Sequence, residues 1–121
     1  MIRRALLIAF IVVGSPAFAF STRQAEVIRL TTMAGEAGIY CAQIKAAPLA
    51  LGDALIAIGM QPGDFNSPEY KRIKDAAKAE IAAQPVASLC GTLWNMFGPN
   101  GNSGPNFVRL RRPTDEPFPA R

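Results

Sequence analysis

The chain contains 121 residues with a formal net charge of +4, and its composition, half hydrophobic and 18% charged, permits a packed core and excludes wholesale disorder. It contains no histidine, which excludes Ser-His-Asp and Cys-His catalysis, HExxH metalloproteases and histidine-ligated zinc. The sequence also has no phosphate-binding loop, CxxC pair or calcium-binding loop. We therefore expect a protein that is not an enzyme and that uses neither a metal nor a cofactor.

Residues 1–19 have the three regions of a secretory signal peptide. Arg3 and Arg4 precede an apolar run over residues 5–13, and a segment with small residues ends at Ala19. The apolar run is shorter than the roughly 20 residues of a spanning helix, which disfavours an uncleaved anchor. We expect cleavage after Ala19, with Ala17 as the second choice. We also expect export to the periplasm of a Gram-negative bacterium, with secretion from a eukaryotic cell as the alternative.

Loss of this leader changes the charge balance. Without Arg3 and Arg4 the chain has eleven basic and nine acidic residues, a net charge of +2. All of that excess lies in the stretch 98–121, since residues 20–97 carry seven groups of each sign. A nucleic-acid-binding protein needs a basic face on its folded part, so we expect no nucleic-acid partner.

The first predicted helix begins at a capping box, in which Ser21 is followed three residues later by Gln24. Its apolar face, at helical spacing, consists of Val27, Leu30, Met33, Ala34 and Ala37. A second helix is predicted over residues 39–47, before Pro48, because helical spacing brings together Tyr40, Cys41, Ile44 and Ala47.

The next predicted helix, Leu49–Met60, is apolar on nearly every side, with Asp53 as its only charge. A helix of twelve residues is about 18 Å long, well short of the ~30 Å hydrocarbon core of a membrane. The helix is therefore either the buried centre of a bundle or a surface for an apolar partner, and burial is the favoured interpretation.

After a turn-rich loop over residues 61–66, Ser67 and Pro68 are typical of a helix N-terminus. The helix predicted from Pro68 to about Ala83 is amphipathic, with Tyr70, Ile73, Ala77 and Ile81 facing inward. Its basic residues Lys71, Arg72, Lys74 and Lys78 suggest an anion or lipid site. Because Asp75 and Glu80 interrupt that cluster, a solvated helix face is the favoured interpretation.

The last predicted helix begins after Pro85 and ends before Gly98. Its inward stripe consists of Val86, Leu89, Cys90, Leu93 and Phe97. Trp94 lies at the edge of this stripe, where it is either part of the core or a half-exposed contact for a partner.

Residues 98–121 contain three glycines and five prolines, a composition that predicts an extended or disordered tail. The segment Phe107–Arg112 differs because apolar and basic residues alternate along it. It could add as an edge strand, pack on the body or contact anionic lipid at a membrane surface, but a solvated tail is the favoured interpretation.

Cys41 and Cys90 are the only cysteines and permit a single pairing within the chain. Export places them in an oxidising compartment, so we predict a structural disulfide rather than a redox pair or a metal site. It would close a loop of 49 positions, for which chain entropy predicts about 4 kcal/mol of stabilisation.

Together these features predict an all-α fold, a small bundle of four or five helices over residues 20–97, stapled by the Cys41–Cys90 disulfide and followed by a flexible, disordered tail over residues 98–121. We expect the protein to act by binding another protein of the cell envelope, with the oligomeric state left open. The candidate interaction surface consists of Trp94, Phe97, Phe107, Arg109, Arg111 and Arg112.

Two other functions fit the same sequence. One is a stress chaperone that exposes the Leu49–Met60 helix at acid pH, and the other is a binder of lipid or of a small apolar ligand. The layout of a small exported helical chain with two cysteines resembles that of the acid-stress chaperones of the bacterial periplasm. This resemblance extends to Cys41 and Cys90 and to no other residue.

Overall fold

The structure, a computed structural model, describes residues 20–116, and the predicted signal peptide over residues 1–19 lies outside the described residues. Most of the described chain is helical, which confirms the predicted helical body. The elements in chain order are helix α1 (Thr22–Gly35), the single turn α2 (Ala37–Tyr40), strand β1 (Ile44–Ala46), helix α3 (Pro48–Ala57), a 3₁₀ helix (Pro62–Asn66), helices α4 (Pro68–Ala82) and α5 (Val86–Phe97), and strand β2 (Val108–Leu110). None of the helices described is both long and apolar enough to cross a membrane.

Helix α1 begins at the predicted capping box. The Gln24 backbone N–H donates to Ser21 Oγ, the Ser21 backbone N–H donates to Gln24 Oε1, and both distances are 3.0 Å. These bonds satisfy backbone donors that a helix start otherwise leaves without a partner. The helix that begins at this cap packs along α4.

The core lies where α1, α4, α5 and the two strands meet. Its largest fully buried side chains include Phe97, Ile81, Leu93 and Val108, each at most 1% exposed. At the edge of this core Arg29 of α1 forms a salt bridge of 2.6 Å with Glu80 of α4. The hydrogen bond from Arg29 lowers the pKa of Glu80.

The fold departs from the predicted all-α class at residues 39–47, where the second helix was expected. The helix there ends at Tyr40, Cys41 has extended backbone angles, and Ile44–Ala46 form β1. This strand pairs antiparallel with β2, with Lys45 opposite Arg109. The extended conformation is stabilised because it buries Ile44 beside Val108 in the core, at 5% and 1% exposure.

Part of the predicted disordered tail over residues 98–121 is ordered, because residues 98–110 pack on the body, and residues 117–121 of that tail lie outside the described residues. The carbonyl oxygen of Met96, at the end of α5, accepts bonds from the backbone N–H groups of Ser103 and Gly104 at 3.0 and 3.1 Å. The loop therefore caps carbonyl groups that the helix leaves without partners. Gly104 lies so close to the Phe107 ring that a Cβ atom at this position would clash with it.

Helix α3 is a third correction, since it is not the buried centre of the bundle. It contains no buried residue, and Leu49 and Ile56 are 83% and 70% exposed. The core is filled by the other helices and the strands, so α3 packs along α1 from outside. Only Met60, which follows the helix, is buried.

Candidate functional site

The predicted disulfide is confirmed, and it forms the floor of an open groove. Cys41 and Cys90 are bonded, with their Cα atoms 5.7 Å apart. The groove has a volume of about 330 Å³ and is lined mainly by apolar groups. Its lining residues are Cys41, Ala42, Gln43, Ile44, Cys90, Gly91, Trp94 and Leu110, and together they are called the disulfide groove below.

Three elements position these side chains. Helix α5 carries Cys90, Gly91 and Trp94 at positions i, i+1 and i+4, which lie on one side of a helix. The β1–β2 pair places Ile44 directly opposite Leu110. Ile44 is buried and Leu110 is 60% exposed. The apolar surface of this pair therefore extends from the core to the solvent at the groove.

Trp94 is half-buried and packs against the core while lining the groove. It thus lies at the edge of the core, as predicted, and its contact with a partner stays a prediction. It is also the sole tryptophan of the chain, so its fluorescence reports on this groove and on the core beside it.

Gly91 forms the outer lip of the groove in the middle of α5. A glycine inside a helix costs about 1 kcal/mol relative to alanine. A Cβ atom at this position would have nothing within 4 Å, so packing within the protein does not require glycine here. The absence of a side chain leaves the groove open at this lip.

Gln43 supplies the polar group of the groove. Its backbone carbonyl accepts from the Arg111 N–H at 2.8 Å, whereas its exposed side-chain amide makes no hydrogen bond to any residue from 20 to 116. An amide offers two donors and an acceptor, and a few such groups in an apolar pocket fix the orientation of what binds.

Phe97 and Phe107, both predicted for the interaction surface, lie away from the groove. Phe97 is fully buried, and its ring stacks on that of Phe107 with 5.9 Å between centroids. Their role in the structure is to hold the 98–107 loop on the end of α5.

Of the three arginines predicted for the interaction surface, Arg109 and Arg111 form hydrogen bonds with other groups of the protein. Arg109 forms two hydrogen bonds of 2.8 Å to the Asp115 carboxylate. Arg111 Nε donates to the Ala42 carbonyl at 2.8 Å, and its Nη2 reaches the Ile44 carbonyl at 3.2 Å. Arg112 is exposed.

The six residues predicted as one interaction surface therefore have different roles in the structure. Trp94 lines the groove, Phe97 and Phe107 belong to the packed body, and Arg109 and Arg111 hold the β2 end in place. The reasoning from sequence missed Gln43, Gly91 and Leu110 as groove residues. Only Leu110 gave a signal, as an apolar member of the alternating segment 107–112.

Within the described part of the chain no group of three or more His, Cys, Asp or Glu side chains could hold a metal ion. Comparison of the chain with models of known protein families, with curated proteins and with solved structures gives no match. The geometry of the molecule is therefore the basis for the function proposed below.

Proposed function

We propose that the protein is an exported, non-catalytic binding module of the cell envelope that holds an apolar side chain of another envelope protein in the disulfide groove. The observation that carries this proposal is the combination of Trp94, the disulfide and the exposed Leu110 around an open apolar hollow. Aromatic anchors in such hollows dominate the binding energy of many protein interfaces.

The size and polarity of the groove support a protein segment as its occupant. About 330 Å³ is at the lower end of the range for small-molecule pockets, roughly 300–1,000 Å³. The amide of Gln43 at the rim can pair with a peptide group beside the inserted side chain. An extended segment that inserts one side chain fits both the volume of the groove and the amide at its rim.

The location proposed for this activity rests on the leader sequence and on the disulfide. Disulfides persist in oxidising compartments and are rare in the cytosol. The Cys41–Cys90 bond joins the end of α2 to α5. Two of the residues that line the groove are therefore linked only when the cysteines are oxidised. An envelope location supplies that condition.

Native mass spectrometry of the protein purified from the envelope without reductant identifies the species it carries. Titration of that species, followed by Trp94 fluorescence, then measures its affinity for the groove. We expect Gly91→Leu, which adds a side chain at the lip, and Leu110→Gln to weaken binding at least about tenfold, or ~1.4 kcal/mol.

The matched control is Leu49→Gln, which removes an exposed leucine from α3 and leaves the groove intact. Gly91→Leu is expected to keep or raise the melting temperature, because it adds helix propensity in open space. Equal weakening by Leu49→Gln, or a bound species that leaves Trp94 emission unchanged, would contradict the proposal.

The exposed face of α3 favours a second candidate function, the binding of an apolar client or lipid. Leu49 and Ile56 are already exposed, so this function needs no acid-triggered opening. The carboxyl groups with a shifted pKa, Asp75, Glu80 and Asp115, are all shifted downward by basic partners. They therefore stay charged in mild acid, and suppression of client aggregation at neutral pH is the assay for this candidate.

A further inference from the structure

Helix α4 carries a row of three lysines, of which only Lys71 is paired with an acid of the same helix. Lys71, Lys74 and Lys78 are spaced at i, i+3 and i+7, which puts them on one side of a helix. They line an open hollow of about 600 Å³ together with Phe65, Tyr70 and Asp75. These six residues are called the lysine face below.

Glu80, which appears in the sequence to interrupt this row, is engaged elsewhere. Both of its carboxylate oxygens accept hydrogen bonds from Arg29 of α1, at 2.9 and 2.6 Å. Glu69 is engaged in the same way by Arg72 of its own helix. Both acids are therefore paired with arginines, and they do not offset the charge of the lysines.

Asp75 is the one carboxylate on the lysine face. It accepts a hydrogen bond of 2.8 Å from Lys71, and that bond, with smaller contributions from Lys78 and Lys74, lowers the pKa of Asp75. Lys74 and Lys78 make no salt bridge to any residue in the described range. Three cations against one anion leave this face with a net charge of +2.

Aromatic rings lie beside these cations. Phe65 meets the Tyr70 ring edge to face at 5.1 Å, and the Lys74 ammonium lies 5.3 Å from the Tyr70 centroid. Phe65 itself is 39% exposed. Aromatic rings next to lysines are typical of surfaces that rest at the headgroup level of a membrane.

We propose that the lysine face binds the anionic phospholipid surface of a membrane, independently of the disulfide groove. Lys78 is seven positions after Lys71, a rise of about 10 Å along the helix, so one phosphate cannot contact the whole row. An array of phosphate headgroups can, and the open shape of the hollow gives such a surface free access. The face thereby orients the module on the membrane while the groove, on other elements, binds a protein.

Co-sedimentation with vesicles of phosphatidylglycerol and phosphatidylcholine tests this proposal, with pure phosphatidylcholine vesicles as the neutral reference. The protein is purified from the envelope as the cell has processed it, so every variant shares the same N-terminus. We expect Lys78→Gln to lower the partition coefficient about fivefold and Asp75→Asn to raise it about fivefold, the effect of one charge near an anionic surface. Raising the salt concentration should weaken binding of each variant.

Arg72→Gln is the matched control, because it removes one positive charge from α4 at a position paired with Glu69. We expect this variant to bind within twofold of the wild type. Equal losses for Arg72→Gln and Lys78→Gln would show a net-charge effect and overturn the proposal. Binding to neutral vesicles alone would overturn it too. So would polyglutamate or inorganic phosphate that binds the protein as effectively as the anionic vesicles do and releases it from them.

Discussion

Asp115 is the residue that makes a pair of facing cations compatible with the sheet. Lys45 of β1 lies directly opposite Arg109 of β2, and like charges at such positions are destabilising. Asp115 binds Arg109 with both carboxylate oxygens and is only 11% exposed. The bond from Arg109, followed by the bond from the Arg112 backbone N–H, lowers the pKa of Asp115 far below its ordinary value.

We expect Asp115→Asn to lower the free energy of unfolding at neutral pH, because it leaves Arg109 and Lys45 without an opposing charge. A carboxyl group with a lowered pKa in the folded state stabilises that state above its ordinary pKa. The contribution is lost only as the pH falls through the lowered value, so the two proteins should converge only in strong acid. Urea midpoints measured from pH 7 downward check this, and a difference that vanishes near pH 5 would contradict it.

The partners of the arginines in the segment 107–112 could not be predicted from the sequence. The alternation in the segment 107–112 correctly indicated a strand as one possibility. The partners of the Arg111 side chain include the carbonyl groups of Gly38, Ala42 and Ile44, which are about seventy positions earlier in the chain. Nothing local in the sequence marks a carbonyl as a partner, so an arginine that stabilises the fold has the same signature as one that binds a partner.

At the scale of the elements, α1, α4 and α5 were predictable because local signals define them. Ser21 and Ser67 cap α1 and α4 through their side chains, and proline and glycine bound α5. Strand β1 was not predictable, since three residues become a strand only through pairing with β2. The place of α3 could not be read either, because hydropathy does not specify which neighbours fill the core.

Because α3 is exposed, we expect its apolar side chains to contribute less to the free energy of unfolding than those of the core. We expect Leu49→Gln and Ile56→Gln to change the free energy of unfolding by no more than about 0.5 kcal/mol, as at other exposed sites. Ile81→Ala in α4 is the comparison, because Ile81 is 1% exposed and truncation there costs about 2–5 kcal/mol. Chemical denaturation of the three variants measures these values, and losses above 2 kcal/mol at Leu49 or Ile56 would contradict the placement of α3.

At the scale of the whole molecule, the disulfide is the feature that the sequence predicted most directly. Two cysteines permit one pair, and the structure contains it. The groove beside it was predictable only in part, through Trp94. Gly91 and Gln43 join the groove because α5, the disulfide and β1 meet at one place, which no sequence pattern indicates.

We expect removal of the disulfide by Cys41→Ala/Cys90→Ala to lower the free energy of unfolding by about 4 kcal/mol, because a loop of 49 positions is no longer closed in the unfolded chain. This is a large share of the ~5–15 kcal/mol typical of a domain. Urea unfolding with and without reductant measures it. Reductant should destabilise the wild type and leave the double variant unchanged, and a wild type insensitive to complete reduction would contradict the expectation.

The pairing of β1 with β2 also determines when folding can be completed. Ile44–Ala46 pair with Val108–Leu110, which come more than sixty positions later in the chain. Val108 is part of the core, so a chain emerging from the ribosome cannot complete its core until residues 108–110 are made. Loop closure over such a distance is slow relative to local helix formation. Until β2 is made, β1 has no strand partner, and the core that the helices have begun to form lacks Val108.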